Sequence, residues 1–351
     1  MFRAYAGDAE RVHEATLSTL RRLGERPVAL RAVSALVERP ARPVRVAGID
    51  FPGVVGLAAG MDKNGVAVRT WSALGFGHVE LGTVTATPQH GNERPRLYRL
   101  PDSRAIVNRM GFNNAGAAAL AQTLERAGVR RGNRAVGMPV GVSIGKTRTT
   151  PLTEATEDYL TSLRLLAEHA DYVAVNVSSP NTAGLRALQD RDALHELVVE
   201  LVAEARLLAP PGGIPLPIFV KLAPDLTDAA LDEALAVCVD AGVSGLIATN
   251  TTLARDGVHP RDQGLALERG GLSGAPLAER ARAVVRYLAG ASDLPVIGVG
   301  GILTADDAAA LLDAGARLLQ VYTGYIYRGP ALVSEINARS ARPAPKARSS
   351  R

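Results

Sequence analysis

Eight short apolar runs rich in β-forming residues recur along the 351-residue chain, and apolar helical patterns separate most of them. Such alternation is typical of a parallel sheet, because parallel neighbours need a crossover connection that is usually a helix. Eight strand-helix units close into a (β/α)8 barrel, which commonly takes about 250 residues. The sequence therefore predicts an α/β fold of the TIM-barrel type, with strands at residues 54–58, 78–84, 140–144, 172–177, 218–222, 245–249, 296–299 and 318–322.

The spacing of these strands indicates what is added to the barrel. The intervals from the second to the third strand and from the sixth to the seventh are the longest, so two insertions are predicted there. Residues 1–46 have the pattern of two amphipathic helices, one beginning near Asp8 and one at Pro27, and form a predicted N-terminal cap. The cap either packs on the barrel or lies at a membrane surface. The barrel domain is assigned to residues 47–337, and a basic, disordered tail to residues 338–351.

The basic charge of the chain belongs to its two ends. The formal net charge is +5, whereas the ends at 1–46 and 338–351 carry +4 and +5, which leaves the body at −4. The body is mildly acidic and the whole chain has only one Trp and five Phe, which argues against nucleic-acid binding. The single cysteine, Cys238, excludes a disulfide framework, and no uncharged apolar run approaches the roughly 20 residues that span a bilayer. We expect a chain that is neither exported nor transmembrane.

Unusual polar residues gather where the predicted strands end. Only four of the 40 basic residues are lysines, and Lys63, Lys146 and Lys221 lie in apolar segments punctuated by Gly or Pro. Lysine is a compact charge that the planar guanidinium of Arg does not replace. Residues that follow barrel strands build the active site, and glycines after the seventh and eighth strands predict a phosphate site. The sequence thus predicts a phosphorylated ligand at the carboxyl ends of the strands.

The residue types at these ends restrict the chemistry. They include no His–Cys cluster and no carboxylate pair, so no metal site and no glycosidase site is expected. Amides and lysines suit a flavin or a pyrimidine, whose edges alternate carbonyl and N–H groups, and a lysine near flavin N1 and O2 would stabilise the reduced ring. Two other readings stay open: a barrel aldolase with Lys63 or Lys221 as Schiff-base nucleophile, and a peripheral membrane or nucleic-acid module built on the Arg-rich ends.

An ordered set of motifs from about residue 8 to residue 337 resembles the dihydroorotate dehydrogenase family. The matching motifs lie at residues 59–63, 82–84, 108–114, 176–181, 220–225, 248–252, 270–274 and 298–301. The resemblance implies an FMN enzyme that oxidises dihydroorotate to orotate in pyrimidine synthesis. In this reaction a hydride leaves substrate C6 for flavin N5, and a base removes the proton from C5.

The same resemblance assigns individual roles. It implies FMN contacts for Ala59, Gly60, Met61, Asp62, Lys63, Thr83, Asn176, Lys221, Thr249, Gly274, Gly301, Tyr322 and Thr323. Ser143 is added as a cofactor residue because it stands where the family usually has an Asn that contacts the flavin. Substrate contacts are implied for Lys63, Asn108, Arg109, Met110, Gly111, Phe112, Asn176, Asn181, Asn250 and Thr251.

The family divides by the residue that acts as this base. It is Cys in the soluble class and Ser in the membrane-associated, quinone-reducing class. The matching residue here is Ser179, which we expect to relay the proton through Thr182 and a water molecule. The cap also resembles the quinone class, in which it forms an apolar tunnel; His13, Arg99 and Tyr322 match residues near the inner end of that tunnel.

The resemblance thus implies a peripheral protein at the cytoplasmic face of the cell membrane. Its Arg21, Arg22 and Arg26 could favour anionic lipid headgroups. Two alternatives remain within the oxidoreductases: an FMN barrel acting on a related pyrimidine, and the same dehydrogenation with fumarate as acceptor. Ser179 and the cap argue against the fumarate alternative.

Overall fold

The structure is a computed structural model that describes residues 8–37, 40–132, 134–182, 184–210 and 212–341. The helices described are α1 (Ala9–Gly24), α2 (Pro27–Val37), α3 (Ala117–Arg126), α4 (Ala155–Leu166), α5 (Arg191–Leu207), α6 (Asp228–Asp240), α7 (Gln263–Ala266), α8 (Ala278–Ala291), α9 (Ala305–Asp313), α10 (Thr323–Arg328) and α11 (Pro330–Ser340). The strands described are β1 (Val44–Val46), β2 (Ile49–Phe51), β3 (Val55–Leu57), β4 (His78–Val84), β5 (Leu97–Leu100), β6 (Ala105–Asn108), β7 (Val140–Ile144), β8 (Tyr172–Asn176), β9 (Ile218–Leu222), β10 (Gly245–Ala248), β11 (Gly271–Gly274), β12 (Val296–Val299) and β13 (Leu318–Val321).

Eight parallel strands form a closed barrel in the order β3, β4, β7, β8, β9, β10, β12, β13, with β13 pairing back to β3. This confirms the predicted TIM barrel and its eight strands. Four strands have the predicted bounds, and the other four end one residue earlier than predicted. At those ends the chain leaves the hydrogen-bonded ladder and enters the loops at the carboxyl end of the barrel, which the apolar pattern alone does not reveal.

A short antiparallel hairpin, β1–β2, closes the amino-terminal end of the barrel. The side chains of Val46 and Phe51 are buried against Tyr172 and Phe219, which point into the barrel from β8 and β9. The ring of Phe51 meets the ring of His78 edge-on, with 5.3 Å between centroids. Residues 44–46, which lie on the cap side of the predicted boundary at residue 46, are the first strand of this hairpin.

The two predicted insertions are confirmed, and they pair with each other. The first contains β5, β6 and α3, and the second contains α7 and β11. Strands β5 and β11 lie antiparallel on either side of β6, which makes a three-stranded sheet from segments more than 160 residues apart. The sequence pattern predicted each insertion but not their association.

The predicted helical cap is confirmed as α1 and α2. Asp8 caps α1, and its carboxylate accepts hydrogen bonds from the backbone N–H groups of Glu10 and Arg11 at 3.0 Å. Thr70 fastens α1 to the barrel by donating a hydrogen bond to the carbonyl of Leu20. Helix α2 has no buried residue, and its Val28 and Leu36 are 74% and 77% exposed. In the part of the chain that is described, no helix has the length and apolarity needed to cross a membrane.

The last helix corrects the predicted start of the tail. Helix α11 continues to Ser340, because Val333, Ile336 and Asn337 are buried against the barrel and anchor it. Asn337 donates a hydrogen bond to the carbonyl of Gly75 at 2.8 Å. The predicted tail begins at residue 338, whereas α11 continues to Ser340; residues 342–351 lie outside the described residues.

Replacing Phe51 with Ala should lower the free energy of unfolding by about 3–5 kcal/mol, because the substitution leaves a cavity where the hairpin fills the barrel. Phe51 is 1% exposed. Urea titration followed by circular dichroism measures the change. Val28→Ala, at a 74% exposed position, is the control and should have little effect. A Phe51→Ala protein as stable as the control would contradict the proposed role of the hairpin.

Candidate active site

A cavity opens at the carboxyl ends of the barrel strands and is bordered by the three-stranded sheet. Most residues that the sequence singled out lie around it. The predicted residues that line it are Ala59, Gly60, Lys63, Thr83, Asn108, Met110, Gly111, Phe112, Asn176, Ser179, Asn181, Lys221, Thr249, Asn250, Thr251, Gly274, Gly301, Tyr322 and Thr323. These residues come from loops and strand ends far apart in the sequence, so barrel closure is what brings them together.

The side chain of Asp62, a predicted cofactor residue, is engaged away from the cavity. The fully buried carboxylate of Asp62 accepts hydrogen bonds from the N–H groups of Val66 and Ala67 and from the Trp71 indole. Burial raises the pKa of Asp62, and these hydrogen bonds oppose the rise. Asp62 thus shapes the loop that carries Lys63 and does not line the cavity; neither does Met61.

Arg109 is also directed away from the cavity. Its guanidinium contacts the carboxylate of Glu268, the hydroxyl of Tyr98 and the carbonyl of Pro95. The neighbouring Met110 and Gly111 do line the cavity. The Arg109 side chain therefore fixes one insertion to the other, and Arg109 itself does not line the cavity.

Ser143 lies behind the cavity wall. Its hydroxyl shares a 2.9 Å hydrogen bond with the hydroxyl of Thr83, which also accepts one from the Asn176 amide at 2.9 Å. Ser143 is fully buried and Thr83 lines the cavity. Ser143 thus acts on the cavity through Thr83, because its side chain is too short to reach past it.

Four asparagines present oriented amides to the cavity. The Asn250 amide donates to Asn176 Oδ1 at 3.2 Å and to the Ser178 hydroxyl at 3.0 Å. On the opposite side, the Asn181 amide donates to Asn108 Oδ1 at 3.1 Å. Because each amide is held by another, its remaining donor or acceptor points in a fixed direction. Such a wall can recognise a flat ring with several carbonyl and N–H groups.

Ser179 lies between these amides. Its hydroxyl oxygen accepts a hydrogen bond from the backbone N–H of Asn181 at 3.3 Å, and the residue is 5% exposed. Nearby in the chain, the Thr182 hydroxyl is buried and has no hydrogen-bond partner within the described residues. Ser179 can therefore offer its hydroxyl to a ligand while its orientation is held by the backbone.

The opposite end of the cavity has a glycine-rich wall. A Cβ added to Gly301 would lie 2.3 Å from the Cα of Ala278, and one added to Gly324 would lie 2.0 Å from the carbonyl oxygen of Ile302. Close packing within the protein therefore requires glycine at these two positions, and both glycines line the cavity, where a main chain without side chains suits close approach of an anion. The Ser273 and Thr323 hydroxyls, joined by a 2.8 Å hydrogen bond, border the same end.

A polar layer lies in the barrel directly below the cavity. The Lys221 ammonium is 3.6 Å from Glu80 Oε1, and Gln320 and Tyr172 donate hydrogen bonds to Glu80 Oε2. One layer further down, neither ring nitrogen of His78 has a hydrogen-bond partner within the described residues, and burial lowers its pKa to about 3. Apart from Lys221, the residues of this layer were not predicted, although polar residues at inward positions of apolar strands are a signal for such a layer.

The cap joins the barrel beside Lys63. Glu10 of α1 is 5% exposed and forms a forked ion pair with Arg96, which in turn donates to the carbonyls of His90 and Asn92. Burial lowers the pKa of Lys63 to about 8, and the Glu10 carboxylate opposes this shift. Glu10 and Arg96 were also missed, because surface and buried ion pairs look alike in a sequence.

The three residues matched to the tunnel lie at or near this junction. Burial, with a contribution from the Lys63 charge, lowers the pKa of His13 to about 4. Burial raises the pKa of Tyr322 to about 12. Arg99 stacks on the ring of Tyr327 at 4.8 Å, and neither Arg99 nor His13 lines the cavity. Tyr322 is thus the one of the three that reaches the cavity itself.

Comparison with known proteins places the chain in a family. A family model for dihydroorotate dehydrogenase matches residues 43–340. The chain belongs to the dihydroorotate dehydrogenase family. A dihydroorotate dehydrogenase (quinone) of Salinispora arenicola is 55% identical over 345 residues, covering 98% of this chain and 97% of the relative. One from Chloroflexus aurantiacus is 52% identical over 342 residues, covering 96% and 93%.

Solved structures of the family share the architecture. The crystal structure of the Eimeria tenella DHODH in complex with ferulenol matches with a TM-score of 0.81 and 34% identity, over 94% of this chain and 90% of that one. The ligand-free Eimeria tenella DHODH matches with a TM-score of 0.76 and 35% identity, over 89% and 92%. The barrel and the cap helices thus belong to a fold already seen in the family.

Acidification should destabilise the protein through His78. The pKa of the His78 imidazole is about 6.5 in the unfolded chain and about 3 in the folded protein. Below pH 6.5 the unfolded state therefore binds more protons, and the free energy of unfolding decreases as the pH is lowered. Between pH 7 and pH 5, His78 should lower the free energy of unfolding by about 2 kcal/mol. The free energy of unfolding of His78→Leu, measured at pH 7 and at pH 5, should not show this contribution to the decrease.

The control for His78 is His195→Gln, because the side chain of His195 is 49% exposed. It should keep the pH dependence of the unchanged protein. If His78→Leu and His195→Gln lose stability equally with acid, the buried neutral ring is not the cause.

Proposed function

We propose that this chain oxidises dihydroorotate to orotate with FMN as cofactor and a quinone as final acceptor, in the synthesis of pyrimidines. One observation carries the proposal: four mutually oriented asparagine amides, Lys63 and Ser179 line a single cavity. A carboxylated dihydropyrimidine needs donors and acceptors on several edges, a cation for its carboxylate and a group to take a proton. Family membership and relatives named dihydroorotate dehydrogenase (quinone) give further support.

The cavity residues fit FMN. The bare main chain at Gly301 and Gly324 and the hydroxyls of Ser273 and Thr323 suit its phosphate. Lys221, held in the polar layer at the other end, suits the carbonyl edge of its ring. When bound, FMN supplies the hydride-accepting centre. The cofactor contacts proposed for Ala59, Gly60, Lys63, Thr83, Asn176, Thr249, Gly274 and Tyr322 belong to the same cavity wall.

The residues of the chain would bind, orient and deprotonate the substrate. The amides of Asn108, Asn176, Asn181 and Asn250 fix the ring, and Lys63 binds its carboxylate. With a pKa of about 8, Lys63 is mostly protonated at neutral pH. In the relay that we propose, Ser179 takes the proton from C5 while its own hydroxyl proton passes to Thr182 and from there to a water molecule. Cys238 has no part, because it is buried in α6, where burial raises the pKa of its thiol to about 12.

Anaerobic dihydroorotate should bleach the flavin absorbance of the FMN-loaded protein. We expect Ser179→Ala to slow this bleaching by roughly 10²- to 10⁴-fold, because a positioned proton acceptor contributes about that factor. Stopped-flow absorbance measures the rate without any quinone. If the unchanged protein binds FMN but dihydroorotate does not bleach it, dihydroorotate is excluded as the substrate.

The matched control is Cys238→Ala, which changes the chain's single cysteine outside the cavity. Its bleaching rate should equal that of the unchanged protein. A Ser179→Ala rate within threefold of the control would exclude Ser179 as the base.

We further propose that the cap attaches the protein to the membrane, at its cytoplasmic face, and guides the quinone towards Tyr322. The support is the exposed pair Val28 and Leu36 on α2, close in sequence to the exposed Arg21, Arg22 and Arg26. Apolar side chains beside basic ones are the pattern of a helix that lies at an anionic lipid surface. His13 and Arg99 are proposed to lie along the quinone path.

Val28→Asp together with Leu36→Asp should weaken binding to vesicles that contain anionic lipid by at least tenfold, because both apolar anchors become charged. Co-sedimentation with vesicles measures the bound fraction. The control is Leu267→Asp, which places the same charge at an 86% exposed leucine outside the cap. Equal losses in the two proteins would mean that the cap is not the attachment site.

A further inference from the structure

The barrel interior below the cavity contains one buried ion pair whose role the proposed reaction leaves unexplained. The Nζ atom of Lys221 lies 3.6 Å from Oε1 of Glu80, and their side chains are 6% and 0% exposed. Lys221 lines the cavity and Glu80 does not. Glu80 is therefore placed to act on a ligand through the two cavity-lining residues that it contacts, Lys221 and Gln320.

The two oxygens of Glu80 have different surroundings. Oε2 accepts hydrogen bonds from the Gln320 amide at 2.7 Å and from the Tyr172 hydroxyl at 3.2 Å. Oε1 has no hydrogen-bond partner within the described residues, so it faces Lys221 alone. Two neutral donors thus fix the carboxylate and aim its second oxygen at the ammonium.

The other titratable groups in this layer are neutral. Burial keeps the pKa of Tyr172 well above its usual value, with the Glu80 charge adding to the rise, so the phenol stays protonated. Burial lowers the pKa of His78 to about 3, so its ring carries no charge at neutral pH. Lys63, the other lysine that lines the cavity, is a cation and cannot balance Lys221. In the described part of the barrel interior, Glu80 is the anion paired with Lys221.

A buried lysine without a counter-ion loses its proton readily, because desolvation disfavours the charged form. A flavin ring lying over Lys221 would remove the little exposure that the side chain retains. We propose that Glu80 is a positioning residue that keeps Lys221 protonated and aimed at the cavity, and thereby sets how strongly the site stabilises negative charge on the cofactor. The inference rests on the proposed function, since it requires FMN in this cavity.

Glu80→Gln tests the proposal, because the substitution keeps the shape and removes the charge. The readout is the midpoint potential of the bound flavin between pH 6 and pH 9, compared with the unchanged protein at each pH. At pH 8.5 we expect reduction to be at least tenfold less favourable in Glu80→Gln, a shift of roughly −30 mV for a two-electron couple. Towards pH 6, where Lys221 is protonated in both proteins, the difference should vanish and then change sign, because Glu80 no longer opposes the field of the ammonium.

Two results would overturn the proposal. A potential equal to that of the unchanged protein at every pH would mean that Lys221 does not need Glu80. A potential higher by the same amount at every pH would mean that Lys221 stays charged and Glu80 only subtracts from its field. The control is Asp262→Asn, another buried carboxylate, which holds Ser103 in the insertions and does not line the cavity. It should leave the potential unchanged.

A second variant covers the case in which Glu80→Gln does not fold. Glu80→Gln combined with Lys221→Met removes both charges and leaves neither partner buried alone. The double variant should therefore fold and give a cooperative thermal unfolding transition where Glu80→Gln gives none. If it is no more stable, the importance of Glu80 lies in its contacts with Gln320 and Tyr172, and the proposal fails.

FMN binding and dihydroorotate oxidation by the unchanged protein distinguish a failure of the proposed function from a failure of the role proposed for Glu80. A chain that binds no FMN would overturn the proposed function and this inference with it. A chain that binds FMN and is bleached by dihydroorotate, but whose potential does not respond to Glu80→Gln, would overturn the role of Glu80 alone.

Discussion

The hydrogen-bonded contact of β13 with β3 closes the barrel, and the rest of the molecule depends on that closure. Leu319, Gln320 and Val321 pair with residues 55–57, joining the last strand to the first. Closure directs eight strand ends to one opening, and the loops that leave these ends converge there. Lys63, which follows the first barrel strand, and Thr323, which follows the last, therefore line the same cavity.

Closure also creates an interior with little water, and the charges of the site behave accordingly. Burial lowers the pKa of Lys63 and of His13, and it raises the pKa of Tyr322. The buried carboxylates of the site and of the barrel interior are held by donors: Glu10 by Arg96, Asp62 by Trp71, and Glu80 by Gln320 and Tyr172. In such surroundings a charge persists only where a partner is built into the fold. The site thus has two supported cations, one on the cap side and one in the barrel axis.

The sequence predicted the repeating part of the fold well, because each barrel strand is an apolar run with a polar end. His78–Val84 and Ile218–Leu222 were predicted with the observed bounds. The pairing of β6 with β11 was not predictable, since hydrophobic periodicity carries no information on which distant segments meet. The end of the last helix at Ser340 was not predictable from the basic composition of the tail, since the buried Ile336 and Asn337 anchor that helix through packing.

Site residues were predictable where the side chain itself lines the cavity, as with Asn250 and Lys221. Prediction was weakest where a residue acts from behind the wall. Asp62, Arg109 and Ser143 lie in motifs that border the cavity, yet their side chains hold other residues in place. Glu80, in contrast, was not predicted as a site residue. Its importance comes from Lys221, which lies 141 positions further along the chain, and not from a motif.

The three-stranded sheet at the cavity has a consequence for how the molecule is made. Its central strand, β6, ends at Asn108, and the partner residue of Asn108 on β11 is Gly271. During synthesis on the ribosome the chain must therefore grow by more than 160 residues after β6 before this wall of the site can form. Asn108 and Gly274 both border the cavity, so a nascent chain that has completed the first half of the barrel still has no ligand-binding pocket.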